Sequence, residues 1–339
     1  MGYFSSSTKM RPYTDNVVTS RLHTLAMAVL LSVASSGISL ASPSQWLMKI
    51  NRAAAELNFS GVFVYTHENK VEAMEVARKV DDGMMQERIY ALNGEAREVI
   101  RDMSRVWCYI PDQNVGVHDY RQINESGFPR IVPGDFSELS KNYQFSEGGN
   151  ERIAGRIAHQ VNVTPKDPYR YGYVLWADRD TGLLLRSDLV DERGQIIEQY
   201  MFVKVDIGGD IPDELLQPVS KKDELEWFGN AKPPVSAPAT HSNWALDHIP
   251  AGYQLSKHIK RMSPMGAGEV EHLVYTDGLS TISVFIKEAL PSQSGMTGLM
   301  KMGAVHAYRN LMGNHRITVM GEVPAATVQF VSEGIRFLP

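Results

Sequence analysis

A single cysteine, Cys108, is all that 339 residues contain. An intramolecular disulfide is therefore excluded, and packed cores must carry the stability. Cys108 lies in RVWCYIPD, an apolar strand-like run, and reads as a small buried hydrophobe rather than a reactive thiol. Charge is not concentrated either. The net charge is −5 and arginine does not cluster, so nucleic acid is not expected as a partner. GxSxG, HExxH, Walker and GxGxxG motifs are absent. The ten histidines are scattered, and none pairs at metal-ligand spacing on a helix. These absences speak against the familiar hydrolase, metalloenzyme and nucleotide-binding classes. No catalytic residue, metal or cofactor is expected, and the chain is not read as an enzyme.

What is present begins with a targeting signal. Lys9, Arg11 and Arg21 precede the apolar, small-residue run Leu25 to Ala41, which ends in Ser39-Leu40-Ala41 with small residues at −3 and −1 of a cleavage site. The strongly apolar part is too short and serine-rich to favour a permanent membrane span, and there is no lipobox cysteine. Export to the periplasm with cleavage after Ala41 is expected, the alternative being an uncleaved anchor. At this length one ordinary core does not suffice, and two domains are expected.

The mature chain opens on a helix. Ser42 is placed to cap it, Pro43 stands at its first position, Gln45 completes a capping box, and Trp46, Leu47, Ile50, Ala53, Ala54 and Leu57 recur at helical spacing. A succession of short strands follows, with turns at His67–Lys70, Asp81–Gly83 and Asn93–Gly94. Alternation puts Phe63 and Tyr65 on one face, Val62 and Val64 on the other. FPRIVPGDF reads as an irregular loop that could gate a cavity, and Asp135 with Glu138 as a second capping box. Strands then resume. Such a meander fits a curved, unclosed sheet whose concave face needs covering, and the two helices are the available covers.

The stretch Gly229 to Asn243 is Pro- and Ala-rich and reads as a semi-rigid linker. After it, Trp244 opens a small antiparallel sheet, with a hairpin at Gly313-Asn314 and a final helix from Pro324 carrying Val328, Val331 and Ile335. The expected layout is a signal over 1–41, a first domain over 42–228, a linker over 229–243 and a second domain over 244–339. The fold class is α+β.

Several residues invite a chemical reading. Asp178, Asp180, Asp191 and Glu192 sit in the charged breaks DRDTG and DERG, but Asp at turn starts with Gly182 and Gly194 behind it is ordinary turn chemistry. A hydrolase with a dispersed site rests on these acids alone. Tyr171, Tyr173, Leu175, Leu183, Leu185, Leu189 and Ile197 around them set which faces are buried. His258, His272 and His306 lie on proposed strands and could approach one another, although separate solvated histidines are the plainer reading. The sixteen methionines include several in GMTGLMKMG, an adaptable contact surface or a mobile loop. Met84, Ile89, Trp107 and Tyr109 belong to the apolar strands that build a core or bury a ligand.

Particular strings carry a family likeness: NFSGVFVYTHENKVEAMEV, NGEAREVIRD, CYIPD and YRYGYVLWADRDTGLLLRSDLVDERGQIIEQ, then HLVYTDGLSTISVFI, GAVHAYR and ITVMGEVP. In order and across both domains, they resemble the MucB/RseB family of periplasmic regulators of the sigma-E envelope-stress response. The resemblance implies a first domain similar to the lipoprotein-carrier fold, an unclosed β-barrel covered by helices. It implies binding of the periplasmic part of a membrane-spanning anti-sigma factor, protection of that part from site-1 proteolysis, and release by lipid, lipopolysaccharide fragments included. Self-association is left open.

On that basis Phe63, Tyr65, Met74, Val76 and Tyr90 are candidates to line the inner face of the first sheet. Tyr275, Phe285, His306, Tyr308 and Arg309 are candidates to present a partner surface on the second. Packing or solvated faces account for each of them equally well. A periplasmic lipid or lipoprotein carrier is the competing function, and the second domain counts against it.

Overall fold

Ser42 and Gln45 set the start of the first helix, α1 (Pro43–Glu56). Gln45 Oε1 accepts the Ser42 N–H at 3.1 Å, one arm of the capping box. The Ser42 hydroxyl lies 2.9 Å from that of Ser44. Leu47, Ile50, Ala53 and Ala54 form the buried stripe.

The computed structural model describes residues 42–120, 136–229, 242–262, 268–289 and 297–338. The signal region, Asp135, most of the FPRIVPGDF loop and positions 230–241 of the linker lie outside the described residues.

Eleven strands of the first sheet follow as Phe59–His67 (β1), Lys70–Asp81 (β2), Met84–Ala91 (β3), Glu98–Arg101 (β4), Arg105–Ile110 (β5), Val115–Tyr120 (β6), Tyr143–Ile153 (β7), Arg156–Pro165 (β8), Gly172–Asp178 (β9), Leu184–Val190 (β10) and Ile196–Ile207 (β11). The helix α2 (Phe136–Asn142) precedes β7, and Glu226–Gly229 forms β12. Three hairpins turn on two residues each. Glu68 and Asn69 have φ 45° and 64°, Asp82 and Gly83 47° and 76°, Ala154 and Gly155 48° and 78°, positive at both central positions as the tightest hairpins require. The spatial order is β12-β6-β5-β4-β3-β2-β1-β11-β10-β9-β8-β7, an unclosed sheet with β12 and β7 at its edges.

β12 departs from the sequence expectation. It pairs parallel to β6, Glu226 opposite Val115 and Gly229 opposite His118. Gly229, read as the first linker residue, is therefore the last residue of a strand. A four-residue strand whose partner lies more than a hundred positions back leaves no local pattern to read.

α1 and α2 lie on one face of this sheet, here the inner face. Leu47, Ile50 and Leu139 pack there with Val161, Val163, Tyr173, Leu175 and Leu189 of β8, β9 and β10. Phe59, Phe63, Met74, Val76 and Phe202 form an adjoining cluster. The helices thus cover only part of the expected concave face. Beyond β2, among the described residues, neither helix reaches it.

The second sheet runs β14-β15-β16-β19-β18-β17 in space. Its strands are Gln254–Met262 (β14), Glu269–Thr276 (β15), Thr281–Glu288 (β16), Gly298–Met302 (β17), Val305–Met312 (β18) and His315–Gly321 (β19). Trp244–Leu246 (β13) pairs with Ile335–Phe337 (β20) in a separate two-stranded ladder. The methionine-rich GMTGLMKMG supplies β17, an edge strand. α3 (Ala325–Glu333) starts one position later than expected, with Pro324 as its N-cap, and Ile335 lies past its end in β20. Val328 and Val331 pack with Ile282, Val284, Ile317 and Val319 on the inner face of this sheet.

Candidate functional site

Register decides what the candidate residues on the first sheet can do. Phe63 faces Met74 across β1 and β2, and Gly61 faces Val76. Phe63, Tyr65, Met74 and Val76 therefore share the inner face. Tyr90 does not. It pairs with Glu75 and Glu98, which puts it on the opposite face, where the Arg88 guanidinium lies 5.2 Å from its ring centre. The two-residue turn at Asp82-Gly83 forces this, because it aligns Ile89 rather than Tyr90 with Val76.

Phe63, Met74 and Val76 are also packed shut, at 3%, 8% and 0% exposure. They build the core. The surface that remains open on the inner face is a row the sequence reading did not single out. Val76, Ile89, Val99, Cys108, Val117 and Phe228 stand opposite one another across β2, β3, β4, β5, β6 and β12. Exposure climbs along it from 0% at Val76 to 40% at Val117 and 50% at Phe228. Beside it runs a second row, Arg78, Glu87 and Arg101, in which the buried Glu87 carboxylate bridges both guanidiniums. Burial pushes the Cys108 thiol up, and Arg97 pulls weakly the other way. That direction fits a thiol of low reactivity, but Cys108 is half-buried rather than buried as expected, so slow alkylation remains open to it.

Tyr65 leads to a different place, the seam between the two sheets. Its hydroxyl donates to Glu198 Oε2 at 2.6 Å, while Glu198 Oε1 accepts the Ala304 N–H at 3.0 Å. Burial, then the Glu198 carboxylate, pushes the Tyr65 hydroxyl far above its ordinary range. Glu68 Oε1 accepts the Gly303 N–H at 2.7 Å. His306 Nδ1 lies 2.8 Å from the Val323 carbonyl oxygen, which marks Nδ1 as the protonated nitrogen, and 3.2 Å from the Tyr171 hydroxyl. A lipid candidate and a partner candidate thus meet at one boundary.

Deeper in the seam, Arg170 has a fully buried side chain 3.1 Å from Asp277 Oδ2. Tyr143 donates to the same oxygen at 2.8 Å, and Asp277 Oδ1 accepts from the backbone of Leu279 and Ser280 at 2.9 and 2.7 Å. The Arg170 guanidinium lies 5.5 Å and 4.9 Å from the ring centres of Tyr143 and Tyr253. Leu279 and Ala304, at the tips of two turns of the second sheet, are buried in the core that α1 and α2 close.

The remaining partner candidates divide by face. Tyr275, Tyr308 and His306 lie on the inner face with α3, Tyr275 and Tyr308 half-buried against its core. Phe285 and Arg309 lie on the other, where His272 stacks on Phe285 at 4.1 Å. The histidines do not converge. His258 bonds Glu271 on the inner face at 2.6 Å, His272 points the other way, and His306 is three strands from β15.

The comparisons with known proteins coincide with this architecture. The family model for the MucB/RseB N-terminal domain matches residues 42–220, and that for the MucB/RseB C-terminal domain matches residues 238–336. This chain belongs to the MucB/RseB family. It is 31% identical over 321 residues to the sigma factor AlgU regulatory protein MucB of Pseudomonas aeruginosa, covering 93% of this chain and 98% of that protein. With the sigma-E factor regulatory protein RseB of Escherichia coli K12 it is 26% identical over 295 residues, 86% of this chain and 89% of the relative. Among solved structures, the complex of P. aeruginosa MucA and MucB matches 88% of this chain and 99% of the other at 29% identity, TM-score 0.68.

In this MucB/RseB chain Asp178 and Asp191 of the acidic stretch are structural, while Asp180 and Glu192 are exposed. Asp178 is 1% exposed, and Arg156 Nε donates to its Oδ1 at 2.7 Å. The Thr181 N–H and hydroxyl donate to Oδ2 at 2.8 and 2.7 Å. Burial works to raise this carboxyl, but the hydrogen bonds from Arg156 and Thr181 outweigh it and hold it below the usual range. Asp191 Oδ1 accepts from the backbone of Arg193 and Gln195, closing the second turn. Gly182 has φ 84°, the left-handed conformation that the turn requires. The sequence reading missed the seam residues Arg170, Asp277, Glu198 and Glu68. Only Arg170 left a trace, a charge set among the aromatics of YRYGY.

Proposed function

We propose that this chain is a periplasmic regulator that binds the periplasmic part of a membrane-spanning anti-sigma factor and shields it from site-1 cleavage. The observation that carries the reading is the collinear match of both family domains, together with the backbone likeness to MucB solved with MucA. Of the acids that invited an enzymatic reading, Asp178 and Asp191 hold turns and Asp180 and Glu192 are exposed beside Arg179 and Arg193, which supports a binding role. Export with cleavage after Ala41 belongs to the same reading, and Ser42 is then the first residue of the periplasmic protein, as mass spectrometry of that protein reads directly.

The test is proteolytic. With the purified chain in excess, the first cut in the anti-sigma periplasmic segment slows. Equal cleavage rates with and without it would sink the proposal.

The exposed apolar row supports a lipid-responsive element in the same protein. An acyl chain laid along Ile89, Val99, Cys108, Val117 and Phe228 removes apolar surface from water, about 25 cal/mol per Å². Cys108 reports occupancy. Its alkylation is expected to slow with lipopolysaccharide or a monoacylglycerol, and an unchanged rate at saturating lipid counts against the row. Transfer of the acyl ligand to an acceptor would instead favour the carrier reading.

A further inference from the structure

The second sheet has two faces, and α3 with its core occupies one of them. Strand register puts Lys257, Lys287, Arg309 and Arg316 on the other, with Arg261 at a position of the same parity. Arg261, Val270, Lys287 and Arg316 stand in one row across β14, β15, β16 and β19. Arg309 lies one strand further, in the next row. No outward position of these strands carries Asp or Glu. Glu269, Glu271 and Glu288 all fall on the inner parity. The connecting residues SPMGA at 263–267 and LPSQSGM at 290–296 carry no carboxylate in sequence. In a chain of net charge −5, this face is cationic throughout.

Such an arrangement costs stability on its own. Lys287 and Arg316 are direct cross-strand partners, and like charges in that position repel. Burial lowers the Lys287 ammonium, and Arg316 and Arg309 lower it further; burial and Arg309 do the same to Arg316. Arg309 Nε is enclosed without a hydrogen-bond partner. Between the cations lie Phe285 under His272 and, toward the β17 edge, Met300 at 39% exposure. The seam with the first sheet lies at the far end, around Leu279 and Ala304. From Ser280 to Lys287 the chain runs roughly 23 Å at the usual strand rise. Lys287 and Arg316, which share that row, are therefore clear of it.

We propose that this face docks on an anionic phospholipid surface. Lys287, Arg309 and Arg316 take headgroup phosphates, and Phe285 and Met300 meet the interface. The face favours a bilayer over an acidic peptide for a geometric reason. The middle of a sheet offers no free backbone donors or acceptors, so an extended peptide would find side chains alone, and peptides are usually held at strand edges. Six strands at the usual spacing make a platform about 24 Å wide, which suits a broad charged surface. Basic side chains with interspersed apolar ones are the composition that binds such surfaces. The inference stands apart from anti-sigma binding, because no protein partner enters its test.

That test is vesicle flotation with the chain from Ser42 onward. The chain should float with vesicles containing phosphatidylglycerol, not with phosphatidylcholine alone, and should be released by salt. Each cation contributes about fivefold near an anionic leaflet, so Lys287→Gln, Arg309→Gln and Arg316→Gln together should lower apparent affinity about a hundredfold. Circular dichroism checks that the triple variant is folded. Lys257→Gln, remote from the cluster, should lose about fivefold and keeps the test open if the triple variant does not fold. Failure of the unaltered chain to float, floating that salt does not reverse, or a folded triple variant that floats undiminished would each overturn the proposal. So would a glutamate-rich peptide that displaces the chain from vesicles at lower concentration than phosphatidylglycerol vesicles do, which would assign the face to an acidic segment.

Discussion

The two halves of the twelve-stranded sheet start from similar material and end differently. β7 to β11 carry an apolar inner face closed by α1, α2 and the turn tips of the second sheet. β3 to β6 and β12 carry an apolar row on the same face, and its exposure rises to 50% at Phe228. The alternation of residues along each strand is the same in kind. Alternation determines which residues share a face, and a separate element determines whether that face is dry. The closed half is a core. The open half is the part of the sheet still able to take a ligand.

The sharpest way to break this comparison is at the seam that helps close the first half. Replacing Asp277 with Ala takes the fully buried carboxylate from the Arg170 guanidinium, leaving it only the half-buried Asp167 at 3.3 Å, and is expected to cost about 4 kcal/mol. Urea unfolding measures it, and a loss under about 1 kcal/mol would mean that the seam relaxes to admit water.

A paired truncation compares the halves directly. Leu47→Ala removes a fully buried side chain from under α1 and should cost about 3 kcal/mol, whereas Val117→Ala in the open row should cost about 0.5 kcal/mol and weaken lipid protection of Cys108 instead. Equal costs in thermal or urea melts would show that the open row is covered in solution.

A local test, with an effect between those of Leu47→Ala and Val117→Ala, falls on the turn at the end of β9. Asp178→Asn weakens the Arg156 contact and should cost about 2 kcal/mol at neutral pH. Because the Asp178 carboxyl titrates below its unfolded value, its contribution is present above about pH 4 and disappears as pH falls through the depressed folded value. The gap between parent and variant should therefore narrow in acid. A gap that stays constant down to acid unfolding would contradict the assigned ion pair.

Much of this was legible in the sequence. The first helix, the hairpin turns and the final hairpin depend on neighbours in the chain, so capping residues, Asn, Asp and Gly announced them. The face of Tyr90 was legible too, by counting back from the Asp82-Gly83 turn to Val76, and alternation judged strand by strand missed it. β12 was not, because a parallel partner gives no turn to read. Nor were the seam carboxylates. Glu68 and Glu198 look like solvated turn and strand acids until Gly303 and Ala304 arrive from the other end of the chain. The collinear strings gave the family, yet they said nothing about which candidate aromatic was packed and which was open.

The seam also bears on how a signal could be read out. Glu68, Glu198, Asp277 and Thr327 each tie the first domain to the second through a hydrogen bond or ion pair, the Asp277 pair fully buried and the other three at the half-buried margin. Such ties share their geometry, so loosening one misaligns the rest. The two sheets should therefore part as a unit or stay together, and a regulator built this way behaves as a threshold device, silent under weak signals and abrupt once the threshold is crossed.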